Sequence, residues 1–138
     1  MTQAAFKQNS HLNPELYHAG GNLEKLFGRW LNTNRDTQGL AECTIARDGD
    51  QIKVSIIGVG EDGPIAWPVV VAQALANLEE EAGQRTGALM ATFEFEFMRA
   101  ETHIRINKGV LVIVLFATFL DGSGRSNYLN REFFYAHG

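Results

Sequence analysis

From Gly28 onward, apolar and polar residues alternate with a period of two, and this alternation constrains the fold more than any other feature of the sequence. Turn signals interrupt it roughly every dozen residues, which is the spacing expected of short antiparallel strands. Asp48-Gly49 is a strong signal of this kind, because an Asp-Gly pair is typical of a two-residue hairpin turn. The pattern predicts eight strands, near residues 28–34, 39–47, 51–59, 64–71, 88–98, 101–107, 110–120 and 126–136.

The predicted strands follow one another without helical crossovers, so neighbours in sequence should be neighbours in the sheet. We therefore predict an all-β fold, an eight-stranded antiparallel up-and-down (meander) β-barrel, with a two-sheet sandwich as the alternative. The even spacing of the strands favours the barrel, since closure leaves no exposed strand edge. A barrel of this size is either filled by its own side chains or holds one small ligand.

Two segments fall outside the strand pattern. Residues 1–21 are predicted to form an N-terminal arm of a single domain, with one helical turn near 14–19, and residues 22–136 form the barrel. Residues 72–83 combine alanine, leucine and glutamate in a pattern typical of a short helix. The competing interpretation continues the fourth predicted strand through Leu75.

A short stretch at the start of the barrel carries a family resemblance. Asn22 can cap a helical turn, and the Phe27-Gly28-x-Trp30 sequence then opens the first strand. This arrangement resembles the start of the lipocalins and their calycin relatives. The resemblance implies a calycin-like barrel with Trp30 buried at its closed end and Arg131, in the last strand, packed across the indole. It implies a fold much more firmly than a function.

Composition excludes several classes of partner. The chain has 138 residues and a net charge of −4, which argues against nucleic acid or an anionic membrane as the main partner. A single cysteine, Cys43, excludes an internal disulfide and a cysteine-rich metal site. Neither a secretion signal nor an apolar run of membrane-spanning length is recognised, so we expect a cytoplasmic protein that uses no metal and no cofactor.

The alternation within residues 88–98 assigns an interior face. Phe93, Phe95 and Phe97 alternate with Glu94 and Glu96. Two neighbouring carboxylates would not be buried without partners, so the three phenylalanines are predicted to face the interior. In the last strand, Arg131 shares its parity with Phe133 and Tyr135. If Arg131 contacts Trp30, both of these rings must face the interior as well.

The polar stretch 121–128 is predicted to lie at the mouth of the barrel. Its simplest interpretation is a hairpin, and its functional interpretation is a loop in which Arg125, Asn127 and Tyr128 hold the polar end of a ligand. Trp67 is a further aromatic residue suited to covering a ligand at the rim. The predicted ligand-binding residues are therefore Phe93, Phe95, Phe97, Phe133, Tyr135, Trp67, Arg125 and Tyr128, with no catalytic residue among them.

Two other features leave alternatives open. His103 is expected on the surface, although a reversed strand parity would place it in the cavity. Residues 110–120 are apolar on both faces, so the outer face should be covered by residues 72–86 or by a second subunit in a homodimer.

These expectations support three functions. The first is binding of a small apolar or amphipathic molecule within the barrel. The second is a cofactor-independent isomerase or cyclase that uses the same cavity, with His103 or Arg131 reaching into it. The third is an interaction module whose barrel is filled by its own phenylalanines.

Overall fold

The computed structural model describes residues 23–77 and 87–138. The predicted arm 1–21, with its turn near 14–19, and the proposed cap Asn22 lie outside the described residues. A 3₁₀ turn, Glu24–Leu26, precedes nine strands. The strands are β1 Gly28–Asn32, β2 Leu40–Asp48, β3 Gln51–Gly60, β4 Gly63–Ala66, β5 Val70–Leu75, β6 Ala88–Glu94, β7 Met98–Asn107, β8 Val110–Phe119 and β9 Tyr128–Ala136.

The strands form a closed, eight-stranded antiparallel barrel in meander order, which confirms the predicted fold class. β4 and β5 together occupy one strand position in this barrel. Both pair with β3: β4 pairs with its residues 57–60, and β5 pairs with its residues 52–54. Closure occurs between the first and last strands, where Trp30 lies opposite Ala136 and Asn32 lies opposite Phe134. The pairing of the first and last strands distinguishes the barrel from the two-sheet sandwich.

The 3₁₀ turn lies at the closed end of the barrel. Leu26 is fully buried, and Trp30 is only 4% exposed. The indole Nε1 of Trp30 donates a hydrogen bond of 2.9 Å to the carbonyl oxygen of Leu26, which fixes the turn to the start of β1. The guanidinium of Arg47 covers the neighbouring Phe27 ring, with Cζ 5.0 Å from the ring centroid. Buried Trp30 therefore lies where the resemblance implied.

The middle of the barrel is a packed core. Phe93 and Phe134 are its largest fully buried side chains, and a fully buried Thr102 hydroxyl donates to the carbonyl of Ala91 at 2.7 Å. The inward positions of β2 and β3 agree with the predicted alternation: Cys43, Ile45, Ile52, Val54 and Ile56. Burial of this apolar surface is the main stabilising contribution to the fold.

The fourth predicted strand is interrupted rather than continuous. Residues 67–69, including Pro68, separate β4 from β5, because proline cannot donate a hydrogen bond to a β-ladder. β5 then continues through Leu75. The helix predicted near 72–83 is therefore wrong for residues 72–75, and residues 78–86 lie outside the described part of the chain.

The fifth predicted strand also ends earlier than expected. β6 stops at Glu94, and a tight turn places Glu96 and Phe97 at its tip, with a 2.8 Å hydrogen bond from Phe95 N to Met98 O. The period of two does not continue through the turn, so only Phe93 has the predicted position inside the core. Phe95 is partly buried against the core, and Phe97 is 42% exposed.

The predicted orientation of the last strand is wrong. Phe134 is fully buried, whereas Phe133 and Tyr135 are 41% and 45% exposed on the outer face. Arg131 shares that outer face and lies over Phe133, with Cζ 5.4 Å from the ring centroid, rather than over Trp30. The alternation of β9 is ambiguous because residues 133, 134 and 135 are all aromatic, and the core selects the middle one.

The outer face of β8 is apolar, as the sequence indicated. Val112 is buried there opposite Phe133, and Phe116 is partly exposed opposite Leu129. The His103 ring packs against Phe116 at an angle of 56°, with ring centroids 5.1 Å apart, and lies on the surface, as expected. The homodimer through residues 110–120 stays a prediction.

Candidate functional site

Three connections converge at the end of the barrel opposite Trp30. They are the β1–β2 loop at 33–39, the β6–β7 turn at 95–97 and the β8–β9 loop at 120–127. They surround a cavity of about 340 Å³. Pockets that bind small molecules have volumes of about 300–1,000 Å³, so this mouth pocket is at the small end of that range.

Five of the eight predicted ligand-binding residues line this mouth pocket, and they come from four different segments of the chain. They are Trp67, Phe95, Phe97, Arg125 and Tyr128. Phe93 lies in the core and contacts Trp67, while Phe133 and Tyr135 lie on the outside of the barrel. The remaining lining residues include Gln38, Gly58, Leu115, Phe119, Asn130 and Glu132.

Aromatic rings complete the barrel wall beside the pocket. β6 pairs with β5 only at residues 88–90, and in the described chain no backbone pairing joins β4 to β6. At this place Trp67 makes edge-on contacts with both Phe93 and Phe95, each with ring centroids 5.2 Å apart. Phe95 in turn lies 5.7 Å from Phe97, centroid to centroid. This part of the pocket wall is therefore made of side chains rather than of a β-ladder.

Gly58 permits the close approach of Trp67. A Cβ atom at this position would lie 2.7 Å from the indole Nε1 and 3.3 Å from Cε2, which is too close for real atoms. Because Gly58 has no side chain, the indole of Trp67 can cross the inner surface of the barrel at this point of β3. This glycine lines the site, although a single glycine within a predicted strand carries no sign of such a role in the sequence.

Arg125 is held at the rim by its own loop and by two rings. Its Cζ atom lies 4.2 Å from the centroid of Phe119 and 5.4 Å from that of Phe97. Its Nη2 donates to Asp121 Oδ2 at 2.8 Å, and its Nε donates to Ser123 Oγ at 3.0 Å. Hydrogen bonds from Ser123, together with Arg125, lower the pKa of Asp121, so its carboxylate is the ionised partner of the guanidinium at neutral pH. The polar stretch 121–128 is thus an ordered loop whose cation contacts the aromatic rim.

Glu132 connects the β1–β2 loop to β9. Its Oε1 accepts hydrogen bonds from Asn32 Nδ2, at 3.0 Å, and from the Thr37 hydroxyl. Its Oε2 accepts a hydrogen bond of 2.8 Å from the backbone N–H of Leu40. A Cβ atom on Gly39 would lie 2.6 Å from Oε2, so a side chain at this position would displace the Glu132 carboxylate. Sequence reasoning missed Glu132 because the parity assigned to β9 placed it outside.

Neither His103 nor Arg131 lines the mouth pocket. Among the described residues, no cluster of three or more His, Cys, Asp or Glu side chains is arranged to hold a metal ion. In the same part of the chain, no helix has the length and apolar character needed to cross a membrane.

A second cavity, of about 500 Å³, lies toward the other end of the barrel. Its lining includes Asn77 and Ala88, which flank the undescribed residues 78–86, as well as His103 and Phe116. Because this lining borders a segment outside the described residues, we assign no site there.

Comparison with known proteins adds no further assignment. The chain matches no family model, and neither the curated proteins nor the solved structures contain a match to it.

Proposed function

We propose that this protein binds a small, largely apolar molecule in the mouth pocket of its barrel. The observation that carries the proposal is the convergence of Trp67, Phe95, Phe97, Phe119 and Tyr128 on one cavity open to solvent, above a core that is already packed. Aromatic side chains provide large contact areas with little loss of conformational entropy, and they are common in the linings of ligand pockets.

The polar groups at the rim support an amphipathic ligand rather than a purely apolar one. Arg125, Gln38, Asn130 and the Tyr128 side chain line the same cavity as the aromatic rings. A few polar groups around an apolar pocket fix the orientation of a ligand and provide specificity. We include a calycin-like classification in the proposal, supported by the closed meander barrel and by buried Trp30 behind a 3₁₀ turn. The position of Arg131 departs from that pattern.

The proposal is tested by calorimetric titration with 2-naphthylmethanol, a neutral aromatic probe small enough for the cavity. We expect a Kd of about 10–100 µM, which corresponds to a moderate binding free energy per atom for a ligand of this size. Phe95→Trp should weaken binding about tenfold or more, because the larger ring occupies the pocket. The melting temperature of the Phe95→Trp protein should stay close to that of the wild type, because an open cavity can receive the added atoms.

Phe133→Trp is the matched control. It makes the same substitution on the outer face of the barrel, where Phe133 is already 41% exposed, so the Kd should not change. Absence of binding at millimolar probe, combined with strong destabilisation by Phe95→Trp, would mean that the mouth is effectively filled. In that case the interaction-module hypothesis replaces the binding one. Independently of the probe, native mass spectrometry of protein purified from its own host measures whether a natural ligand is retained.

A further inference from the structure

Arg125 is a positioned cation on the rim of the mouth pocket. The Phe119 and Phe97 rings lie 4.2 Å and 5.4 Å from its Cζ atom, and Asp121 and Ser123 accept hydrogen bonds from Nη2 and Nε. Its side chain is nevertheless 50% exposed. The guanidinium is therefore both held in place and accessible to a ligand.

This guanidinium has hydrogen-bonding capacity to spare. An arginine side chain carries five N–H donors, and the bonds to Asp121 and Ser123 use two of them. No other side chain in the described ranges accepts a hydrogen bond from it. Because arginine binds carboxylates through parallel N–H bonds, Arg125 is suited to a second oxyanion in addition to Asp121.

Glu132, the other charged residue that lines the pocket, is already engaged. Its two oxygens accept three hydrogen bonds, from Asn32, Thr37 and Leu40. These bonds hold the β1–β2 loop, so the carboxylate serves the structure of the mouth and is a poor partner for a ligand. The three donors are uncharged, so the carboxylate stays part of the pocket lining, and Arg125 is the charged lining residue that has donors left for a ligand.

The same arrangement disfavours a cationic ligand. Aromatic rings around a cavity attract cations through their negative faces. Here Arg125 already lies over Phe119 and Phe97, and a second cation would meet a like charge at short distance. An aromatic pocket that contains its own cation favours a ligand of opposite charge.

We infer that the mouth pocket selects a planar aromatic molecule that carries an oxyanion, such as a carboxylate, with the rings beside Trp67 and Phe95 and the oxyanion on Arg125. This inference rests on the proposed function of the mouth pocket as a binding site. It adds the charge and shape of the ligand, and it names the residue that recognises the charge.

Three probes with the same ring system test the inference: 2-naphthoate, 2-naphthylmethanol and 2-naphthylmethylammonium. In the wild-type protein at low salt, we expect 2-naphthoate to bind about tenfold more tightly than the alcohol, since a charge-assisted hydrogen bond is added, and we expect the ammonium probe to bind most weakly. The preference for the anion should decrease at high salt, because Arg125 is half exposed and its charge is screened.

Two substitutions at the rim should act in opposite directions. Arg125→Gln should remove the preference for the anion, so that the ratio of the Kd of the alcohol to the Kd of 2-naphthoate falls from about ten to about one. Asp121→Asn should strengthen 2-naphthoate binding about two- to fivefold, because it removes the carboxylate that competes for Arg125. The asparagine oxygen can still accept the 3.1 Å hydrogen bond from Ser123 N, so the loop is preserved.

Arg99→Gln is the matched control, since it removes the same charge from a residue that pairs with Glu94 and does not line the pocket. It should leave all three affinities unchanged. Equal binding of the three probes to the wild type would overturn the inference while the proposed function stands. A tenfold preference for 2-naphthoate over the alcohol that persists in Arg125→Gln would also overturn it, because a group other than Arg125 would then recognise the charge. Failure of every probe to bind would overturn both.

Discussion

At the scale of single residues, Trp30 connects the closed end of the barrel to its first strand. The indole is almost completely buried and donates its N–H to the carbonyl of Leu26 in the preceding turn. One side chain thus provides apolar burial and satisfies a backbone acceptor, which explains why the turn is held against the barrel.

Removing this side chain should be costly. Trp30→Ala is expected to lower the free energy of unfolding by about 3–5 kcal/mol, as for other large buried aromatic residues. Trp30→Phe is the control, because it keeps most of the ring but loses the hydrogen bond to Leu26, worth about 1 kcal/mol. Denaturant unfolding measures both. A loss below about 1 kcal/mol for Trp30→Ala would mean that the tryptophan does not anchor the closed end.

Cys43 shows how the interior controls reactivity. Burial, with a smaller contribution from the neighbouring charge of Glu42, raises the pKa of the Cys43 thiol to about 12. The thiolate is the reactive form of cysteine, so the folded protein should not react with dithionitrobenzoate at pH 8, whereas the unfolded protein should. Rapid reaction of the native protein would contradict the buried position.

The same thiol makes stability depend on pH. The pKa of the Cys43 thiol is higher in the folded state than in the unfolded state. The contribution of this thiol to the free energy of unfolding is therefore fully present below the ordinary cysteine pKa. The contribution is lost as pH rises from there toward about 12. Cys43→Ala should remove this part of the alkaline destabilisation, which is measured by comparing denaturant midpoints of the two proteins between pH 8 and 10.

At the scale of elements, the sequence predicts where strands lie better than which way their side chains point. The Asp48-Gly49 and Lys108-Gly109 turns carry positive-φ glycines and bound their strands as expected. The turn at Glu96-Phe97 contains no glycine, proline or asparagine, so only the pairing in space defines it. In β9, three consecutive residues are aromatic, so the alternation of this strand does not show which of them faces inward. Packing against the other strands decides this, and the sequence of one strand does not contain that information.

Five of the eight predicted ligand-binding residues line one cavity in the structure. Phe95 and Phe97 were selected because they alternate with glutamates, and Trp67, Arg125 and Tyr128 because they suit the rim of a barrel. The barrel brings all five to one cavity at its mouth. Phe119 and Glu132 were missed, since their importance comes from contacts with distant loops. Local sequence patterns indicate the end of a strand, but only tertiary contacts show which side chains meet there.

The hydrogen bonds of Glu132 connect β9 to a loop that lies about ninety residues earlier in the chain, and this connection can be tested. Glu132→Ala removes the acceptor of three hydrogen bonds, and we expect a loss of about 1–3 kcal/mol of stability. Glu132→Gln should be intermediate, since one oxygen remains. Hydrogen exchange of the Leu40 amide should accelerate selectively, whereas Glu94→Ala, at an exposed position, should not change it. Unchanged exchange at Leu40 in Glu132→Ala would contradict the role of Glu132.

At the scale of the whole molecule, the barrel has two unlike ends. The end near Leu26 and Trp30 is closed by a turn and packed, and the opposite end carries an aromatic pocket with charged groups at its rim. Phe93 and Phe134 fill the space between them. The barrel is therefore neither fully open nor fully filled, and the mouth pocket is where we propose that a ligand binds.

The two tryptophans of the chain allow this claim to be tested with an internal control, because Trp67 lines the mouth pocket and Trp30 lies at the closed end. The measurement is a titration of ¹⁵N-labelled protein with 2-naphthylmethanol, followed through the indole N–H resonances. Our account predicts a saturable shift of the Trp67 resonance and a nearly stationary Trp30 resonance. A stationary Trp67 resonance, or equal shifts of the two indoles, would contradict ligand binding at the mouth.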